Sequence, residues 1–399
     1  MTATRQLATP GAQLRGLVHD HIRERGPIPF DEFMELCLYH PEHGYYCRPG
    51  MTTGPGGDFY TSPDLHPAFG LLVARQIAEL EQRTRLAGPG SFHVIEAGPG
   101  TGRLARDIIA GLAGEYPEVA RRIIYSLVEI SPSLKRLQSA TIQAGGRAGS
   151  LAGLQWQSWS DLPAGSQITP FHGCVIANEF LDALPVHVVE QGETGLMELH
   201  VATDGERFTE RILPACNAAL SEHLSRHDVA LEKGQRAEIG LSGLEWVGSL
   251  GRLFGKTGRG GAILIDYGHT SRELYAPARY RGTLLSYHRH QVVDDPYTMA
   301  GDQDMTAHVD FTAIARRARE AGFDTAPLTT QMRFLVSHGL AEILADLACL
   351  PDQGAESIRQ RMALHGLMAP GGMGEVFKVL LVSKGTSAAG LTGAKDPFR

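Results

Sequence analysis

The sequence predicts an α/β protein built around a parallel sheet, and two observations carry that prediction. Four short apolar runs, at residues 92–97, 123–128, 174–177 and 262–266, alternate with helix-forming stretches. This is the pattern of strands that are buried on both faces. The first run leads directly into a glycine-rich turn and then into a helix-forming stretch. A strand that turns into a helix through glycines allows a ligand to lie against bare backbone.

The glycine-rich turn reads Gly98-Pro99-Gly100-Thr101-Gly102 and follows Glu96. The dinucleotide fingerprint is G-x-G-x-x-G with an acid about 20 residues later. Here the third glycine comes one residue early and an acid precedes the turn, a variant typical of enzymes that bind S-adenosylmethionine. We therefore predict that Glu96, Gly98, Gly100 and Gly102 contact this cofactor. An ordinary tight turn between strand and helix is the alternative.

The second apolar run ends at Glu129. In a doubly wound fold, a carboxylate at the tip of the second strand binds the ribose hydroxyls of the cofactor. Glu129 lies 31 residues after Gly98, which is longer than the usual spacing, and an extended crossover at 113–122 accounts for the excess. We predict ribose binding by Glu129, with a solvated charge at a strand end as the alternative.

Polar residues also follow the run at 174–177, where Asn178, Glu179 and Asp182 occur together. Residues at the carboxyl end of a parallel strand face the ligand crevice. We predict that Asn178 hydrogen-bonds a substrate amine, and that Glu179 and Asp182 share one face of a helical turn and hold a guanidinium group. The alternative is that Asn178 caps a helix whose first turn the two acids enrich. Asp266 ends the next run, where it either faces the crevice or bonds the backbone of a turn.

The order of the predicted elements suggests three regions. Residues 1–90 form an N-terminal helical and lid region, residues 91–384 hold the parallel sheet, and residues 385–399 form a flexible tail. Within the middle region, three short alternating runs predict an antiparallel meander inserted at about 186–255. An aromatic loop at about 269–309 is long enough to be functional. Residues 154–159 are the candidate for a further, less clear strand of the parallel sheet. After the aromatic loop, a strand near 323–329, a helical pair at 331–365 and a final strand at 375–383 are predicted.

Composition excludes several classes of protein. With 399 residues, 43% of them hydrophobic and a formal net charge of −7, the chain is predicted to be globular and not to bind nucleic acid. No apolar run approaches the roughly 20 residues of a membrane span. The five cysteines form no C-x-x-C pair, so we expect neither a disulfide framework nor a metal site. The N-terminus has no apolar signal segment, which favours a bacterial cytoplasmic protein over a mitochondrial precursor.

Several segments together resemble the MidA-like methyltransferase family, whose mitochondrial members are complex I assembly-factor arginine methyltransferases. The resemblance runs from about residue 12 to 384 and rests on segments that read YHPEHGYY (39–46), GDFYTSPDLHPAFG (57–70), EAGPGTGRLARDI (96–108), VEISPSL (128–134), ANEFLDALPV (177–186), IDYG (265–268), GTLLSYHRH (282–290), MTAHVDF (305–311) and MGEVFKVL (373–380).

This resemblance implies a class I methyltransferase core, S-adenosylmethionine as methyl donor, and symmetric dimethylation of an arginine on a respiratory complex I subunit. It places Asn178 and Glu179 beside the transferred methyl, and Asp58 and Thr61 in a segment that closes over the cofactor. The family often has arginine or lysine between its second and third loop glycines, where this chain has Thr101. Methylation of oxygen or carbon on a small metabolite, and a non-catalytic assembly role, remain alternatives. The sequence does not indicate the oligomeric state.

Overall fold

The computed structural model describes residues 10–48, 60–85, 90–162, 170–349, 354–369 and 371–398. The helices are α1 Pro10–Arg25, α2 Phe30–Tyr39, α3 Ser62–Leu65, α4 Ala68–Thr84, α5 Arg103–Glu115, α6 Pro117–Ala120, α7 Pro132–Ala144, α8 Ala218–Arg226, α9 Leu241–Phe254, α10 Ser271–Leu274, α11 Phe311–Glu320, α12 Gln331–Ser337, α13 Leu340–Ala348, α14 Ala355–Gly366 and α15 Met373–Val376. The strands are β1 Ile28–Pro29, β2 Phe92–Ala97, β3 Ile123–Val128, β4 Gly153–Gln157, β5 His172–Asn178, β6 His187–Gln191, β7 Leu196–Thr203, β8 Phe208–Pro214, β9 Arg236–Ile239, β10 Arg259–His269, β11 Leu285–His288, β12 Gln291–Val293, β13 Asp304–Thr306, β14 Val309–Asp310, β15 Asp324–Thr325, β16 Thr329–Thr330 and β17 Phe377–Lys384.

The chain divides into two compact units. We call residues 60–182, 244–269 and 309–399 the sheet unit, and residues 1–59, 183–243 and 270–308 the insertion unit. This division differs from the predicted boundaries. The insertion ends near residue 243 rather than 255, because most of α9 serves the sheet unit as the helix that precedes β10. The predicted aromatic loop belongs to the insertion unit, and α4 belongs to the sheet unit.

The sheet unit confirms the predicted fold class. Its sheet has the strand order β15-β17-β10-β5-β2-β3-β4, with β14 beside β10 and β16 beside β17. The five strands from β10 to β4 are mutually parallel, and β17 runs antiparallel to β10. The carboxyl ends of β5, β2 and β3 therefore lie side by side along one edge of the sheet. This arrangement brings together the segments that follow residues 97, 128 and 178.

The core of the sheet unit explains why these segments form strands and helices. Apolar residues of β2, β3 and β5 are buried in one cluster with the apolar faces of α4 and α5. Helix α7 begins at Pro132, a residue suited to the first helical position. The Ser131 hydroxyl accepts a hydrogen bond from the Leu134 amide and so caps α7. The short strand β4, the least certain of the predicted strands by pattern, pairs with β3.

Three sequence expectations for the sheet unit need correction. The strand expected at 323–329 is two short strands, β15 and β16, and the helical pair expected at 331–365 is three helices, α12 to α14. The segment after residue 385 is packed rather than loose. Leu391 is fully buried, and the Thr392 amide donates to Glu79. A Gly- and Ala-rich composition did not reveal these anchoring contacts.

The insertion unit contains the predicted meander as part of a larger sheet. Its strand order is β1-β7-β6-β9, with β8 paired to β7, and every pairing is antiparallel. Strand β9 was not predicted, because its four residues show no apolar run. A second small sheet, β12-β11-β13, occupies the segment predicted as an aromatic loop. Within the described part of the chain, no helix has the length and apolar character that crossing a bilayer requires.

Candidate active site

The glycine turn links β2 to α5 through three residues in the left-handed region. The φ angles of Gly98, Gly100 and Gly102 are 62°, 50° and 81°, a conformation that favours glycine. A Cβ atom on Gly98 would lie 2.9 Å from the Phe180 ring, and one on Gly102 would lie 2.9 Å from Cα of Gln138. A Cβ atom on Gly100 would meet nothing within 4 Å. Gly98 and Gly102 are therefore required by packing, whereas Gly100 borders open space.

The Glu129 side chain is fixed at the end of β3 by three hydrogen bonds. Its Oε1 accepts from the amides of Ile130 and Ser131, both at 2.8 Å, and its Oε2 accepts from Nε2 of Gln138 at 2.9 Å. Burial raises the pKa of this carboxyl, and the three donors oppose that rise. Among the described residues, these donors leave Oε2 with capacity for a further hydrogen-bond donor.

Gln138 was not predicted from the sequence, yet it joins the elements around the turn. Besides Glu129, its Nε2 reaches the Gly100 carbonyl at 2.9 Å, and its Oε1 accepts from the Trp156 indole at 2.9 Å. The side chain is fully buried. Gln138 belongs to no sequence motif. Its spacing from the buried apolar residues Leu134 and Ile142 of α7 is the signal that places it on the inward face of the helix.

Glu96 lies on β2 directly before the glycine turn and is almost fully buried. The Tyr125 hydroxyl of the neighbouring strand donates to its Oε2 at 2.7 Å. Burial raises the pKa of Glu96 to about 7, despite that hydrogen bond. The hydrogen bond from Tyr125 orients the Glu96 carboxylate. Contact of Glu96 with the cofactor stays a prediction.

Asn178 and Glu179 lie at the end of β5, and Glu179 has a left-handed backbone with φ 50°. Its Oε1 accepts from the Ser62 amide at 3.1 Å and from Nδ2 of Asn178 at 3.2 Å. Burial raises the pKa of Glu179 to about 8, and the nearby charge of Asp266 adds to that rise. Oδ1 of Asn178 is buried and has no hydrogen-bond partner among the described residues. Hydrogen-bond acceptors thus remain available at this strand end.

Asp266 holds the turn after Glu179 and is fully buried. Its Oδ2 accepts from the backbone amides of Phe180, Leu181 and Asp182 at 2.8–3.3 Å, and its Oδ1 accepts from the Tyr267 amide. This confirms the alternative in which Asp266 bonds the backbone of a turn. Burial raises the pKa of Asp266, while the four amides oppose the rise.

The predicted helical turn over residues 179–182 is wrong. The chain there forms bends and a turn, because Glu179 is left-handed and Asp266 gathers the next three amides. Spacing of three residues therefore gives no reason to place Glu179 and Asp182 on one face. Asp182 is 5% exposed, and its predicted role as a guanidinium ligand loses its geometric basis. Asn178 caps no helix, so that alternative is also wrong.

The short helix α3 contacts two elements of the site, the start of α5 and the residue that follows β5. Thr61 and Asp64 form a capping box in which the Asp64 carboxylate accepts from the Thr61 amide at 3.0 Å. Asp64 also pairs with Arg103, which starts α5 directly after the glycine turn, at 3.0 Å. Thr61 thus has a structural role in the described contacts. Asp58 lies outside the described residues.

An aromatic wall lies beside the glycine turn. The Phe180 ring is 5.0 Å from the Trp246 ring, and Trp246 is 5.1 Å from Trp159, measured between ring centroids. Phe180 also stands where a Cβ on Gly98 would project. Flat aromatic faces of this kind suit planar groups such as adenine or guanidinium.

Comparison with known proteins decides the family. A model described as putative S-adenosyl-L-methionine-dependent methyltransferase matches residues 72–329, which is more than half of the chain. The chain belongs to this family of methyltransferases. The predicted S-adenosylmethionine-dependent methyltransferase activity and the predicted cofactor are both confirmed.

The similar proteins agree with this assignment. The mitochondrial protein arginine methyltransferase NDUFAF7 of Homo sapiens is 30% identical over 380 residues, which cover 91% of this chain and 82% of that protein. The Rattus norvegicus protein of the same name is 29% identical with the same coverage. A likely methyl transferase from Burkholderia thailandensis, solved with bound S-adenosyl-homocysteine, is 32% identical with a TM-score of 0.84, covering 98% of this chain and 95% of that one.

The residues at the carboxyl ends of β2 and β3 fit the cofactor. A Cβ atom on Gly100 would project into open space, and Oε2 of Glu129 retains capacity for a donor such as a ribose hydroxyl. Gly98, Gly100 and Gly102 would line the cofactor, and Glu129 would hold its ribose. When bound, S-adenosylmethionine supplies a methyl group on a positively charged sulfur.

One group of possible metal ligands occurs in the described part of the insertion unit. Asp31, His187 and Glu198 bring their ligand atoms within 4.8 Å of one another. His187 Nδ1 hydrogen-bonds Glu198 at 2.8 Å and lies 3.3 Å from Asp31. The Nδ1 atom of His187 therefore already hydrogen-bonds one of the two carboxylates, that of Glu198.

Proposed function

We propose that this methyltransferase modifies an arginine side chain of a protein. The observation that carries the proposal is the hydrogen-bonding capacity left at the end of β5. In the part of the chain that the structure describes, Oδ1 of Asn178 is buried without a hydrogen-bond partner. Both hydrogen bonds that the described residues donate to the Glu179 carboxylate go to its Oε1. The atoms that remain available at the end of β5, Oδ1 of Asn178 and Oε2 of Glu179, are both hydrogen-bond acceptors. A guanidinium group carries five N–H donors and no acceptor, so it complements such a site.

The two residues would have distinct roles in the transfer. Oδ1 of Asn178 and Oε2 of Glu179 would each accept an N–H of the guanidinium group and hold it in place. A carboxylate beside the far nitrogens localises the positive charge there and returns electron density to the attacking nitrogen. Orientation and exclusion of water then supply most of the acceleration.

The proton balance also involves Glu179. The nitrogen forms its bond to carbon as the bond from carbon to sulfur breaks, and this nitrogen must then release one proton. The Glu179 carboxylate is the base in contact with the guanidinium group in this proposal. Its pKa of about 8 makes it a better proton acceptor than an ordinary carboxylate.

The target class rests on the relatives and on charge. The similar curated proteins are named protein arginine methyltransferases, and the net charge of −7 suits a cationic target. The family resemblance extends the proposal to symmetric dimethylation of a respiratory complex I subunit. A cytoplasmic location in a bacterium belongs to the same proposal.

Transfer of labelled methyl from S-adenosylmethionine to a cell extract tests this function. We expect label on protein, in arginine, as identified by mass spectrometry. Glu179→Gln keeps the shape of the side chain and removes its charge, so it should lower turnover by about 100-fold or more and leave S-adenosylhomocysteine affinity nearly unchanged. Glu118→Gln, which changes an exposed glutamate of α6, is the matched control. Label found only on small metabolites, or full activity in Glu179→Gln, would contradict the proposal.

A further inference from the structure

A buried polar chain connects α12 to the Glu179 carboxylate. Gln331, the first residue of α12, is fully buried, and its Oε1 accepts a hydrogen bond from the Ser62 hydroxyl at 2.9 Å. Ser62 is also fully buried, and its backbone amide donates to Oε1 of Glu179 at 3.1 Å. One serine therefore contacts Gln331 through its side chain and Glu179 through its backbone.

Packing alone does not explain a glutamine at position 331. Its Nε2 is buried and has no hydrogen-bond partner among the described residues, and a buried donor without a partner lowers stability. An apolar side chain of similar length would avoid that loss. The bond to Ser62 survives either orientation of the amide, because a hydroxyl group both donates and accepts.

We infer that Gln331 is a positioning residue for Glu179, which it serves by fixing Ser62 so that the Ser62 amide points at the carboxylate. The effect of this positioning on turnover rests on the proposed function of Glu179, whereas its effect on the ionisation of the Glu179 carboxylate does not.

Several charged groups face Glu179 from the elements around it. Asp266 on β10 and Asp64 on α3 both disfavour its ionised form, and Arg103 on α5 pairs with Asp64. The Ser62 amide and the Asn178 amide favour the ionised form. Loss of the correct Ser62 orientation should therefore make Glu179 harder to ionise.

The test is carboxyl-carbon NMR of full-length protein labelled with carbon-13 glutamate, with the Glu179 signal assigned from Glu179→Gln. In Gln331→Met, we expect the Glu179 titration to move to higher pH by about one pH unit. Ser62→Ala keeps the backbone amide but removes the hydroxyl, so it should produce the same shift. The double variant should also show that shift and no more, because all three lose the same hydrogen bond.

Stability measurements separate this role from a structural one. Gln331→Met leaves the buried Ser62 hydroxyl without its partner, and Ser62→Ala leaves the buried Gln331 side-chain amide without its partner. The double variant removes both groups. The double variant should therefore unfold at the wild-type temperature or above it, although its Glu179 titration is displaced. If Gln331→Met fails to fold, Ser62→Ala and the double variant carry the test.

Gln76→Met is the matched control. Gln76 is likewise fully buried, but its amide is satisfied by Glu79, His338 and Gly393. This variant should lose stability and leave the Glu179 titration unchanged. The inference is overturned if Gln331→Met and Ser62→Ala leave the titration in place, or if their shifts add. The readout needs no methyl acceptor, so a failure of arginine methylation would refute the proposed function and not this inference.

Discussion

Gly100 and Gly102 offer a direct test of which part of the glycine turn meets the cofactor. Both have left-handed backbones, with φ 50° and 81°, so an alanine at either position costs about 1–2 kcal/mol of backbone strain. That cost is offset by roughly 0.4–1 kcal/mol, because alanine also restricts the unfolded chain. For Gly100 no further cost arises, since its Cβ would meet nothing within 4 Å. Gly100→Ala should therefore lower the free energy of unfolding by less than about 2 kcal/mol.

Gly102→Ala should behave differently. Its Cβ would lie 2.9 Å from Cα of Gln138, and relief of that contact requires α7 to move. Overpacking of this kind costs typically about 1–3 kcal/mol, so this variant should be clearly destabilised. The pair separates damage to the fold from damage to binding.

Calorimetry with S-adenosylhomocysteine and chemical unfolding provide the two readouts. We expect Gly100→Ala to remain folded and to bind at least about tenfold more weakly, a difference of about 1.4 kcal/mol, because its methyl group occupies space needed by the ligand. Wild-type affinity in a folded Gly100→Ala protein would refute the assignment of that space to the cofactor.

Further predictions concern Glu179, Gln138 and the C-terminal tail. The raised pKa of Glu179, about 8, means that turnover should rise as pH increases through 8. The same shift means that the stability contributed by this group is present below the ordinary glutamate pKa and is lost as pH rises through about 8. In unfolding experiments, Glu179→Gln should therefore gain on the order of 4 kcal/mol relative to wild type between pH 5 and pH 9, because each pH unit of that interval below the folded-state pKa contributes about 1.4 kcal/mol. A constant difference would contradict this sign. Gln138→Leu removes contacts to Glu129 and Gly100 and should weaken S-adenosylhomocysteine binding by about tenfold, while Gln143→Leu, an exposed change on the same helix, should not; equal affinities would count against Gln138. Truncation after residue 385 exposes the site of buried Leu391 and removes the contacts of Thr392 with Glu79, so it should lower the free energy of unfolding by about 3 kcal/mol, and an unchanged melting curve would show that the tail is dispensable.

The elements with strong local signals were predictable from the sequence. Strands β2 and β3 have their predicted bounds, 92–97 and 123–128. A short apolar run that ends at a glycine or an acid is compatible with few elements other than a buried strand. The positions of Gly98, Gly100, Gly102 and Glu129 follow from those bounds. Their adjacency then follows from the parallel order of the strands.

The contacts that orient the site residues were not predictable. Neither Gln138 nor Gln331 belongs to a recognisable motif. Gln138 contacts Gly100, 38 residues away, and Gln331 contacts Ser62, 269 residues away along the chain. The predicted helical turn at 179–182 was wrong because the backbone there is decided by Asp266, more than 80 residues away. Local spacing cannot report a turn that a distant carboxylate holds.

The measurement that tests the central claim most directly is the fate of a labelled methyl group with wild-type protein and Glu179→Gln side by side. Both proteins would be incubated with labelled S-adenosylmethionine and the same extract, and hydrolysed protein would be analysed for methylated arginine. The account predicts methylated arginine with wild type, a reduction of about 100-fold or more with Glu179→Gln, and nearly equal cofactor affinity for the two. Methylation confined to small molecules, or equal arginine methylation by both proteins, would contradict it.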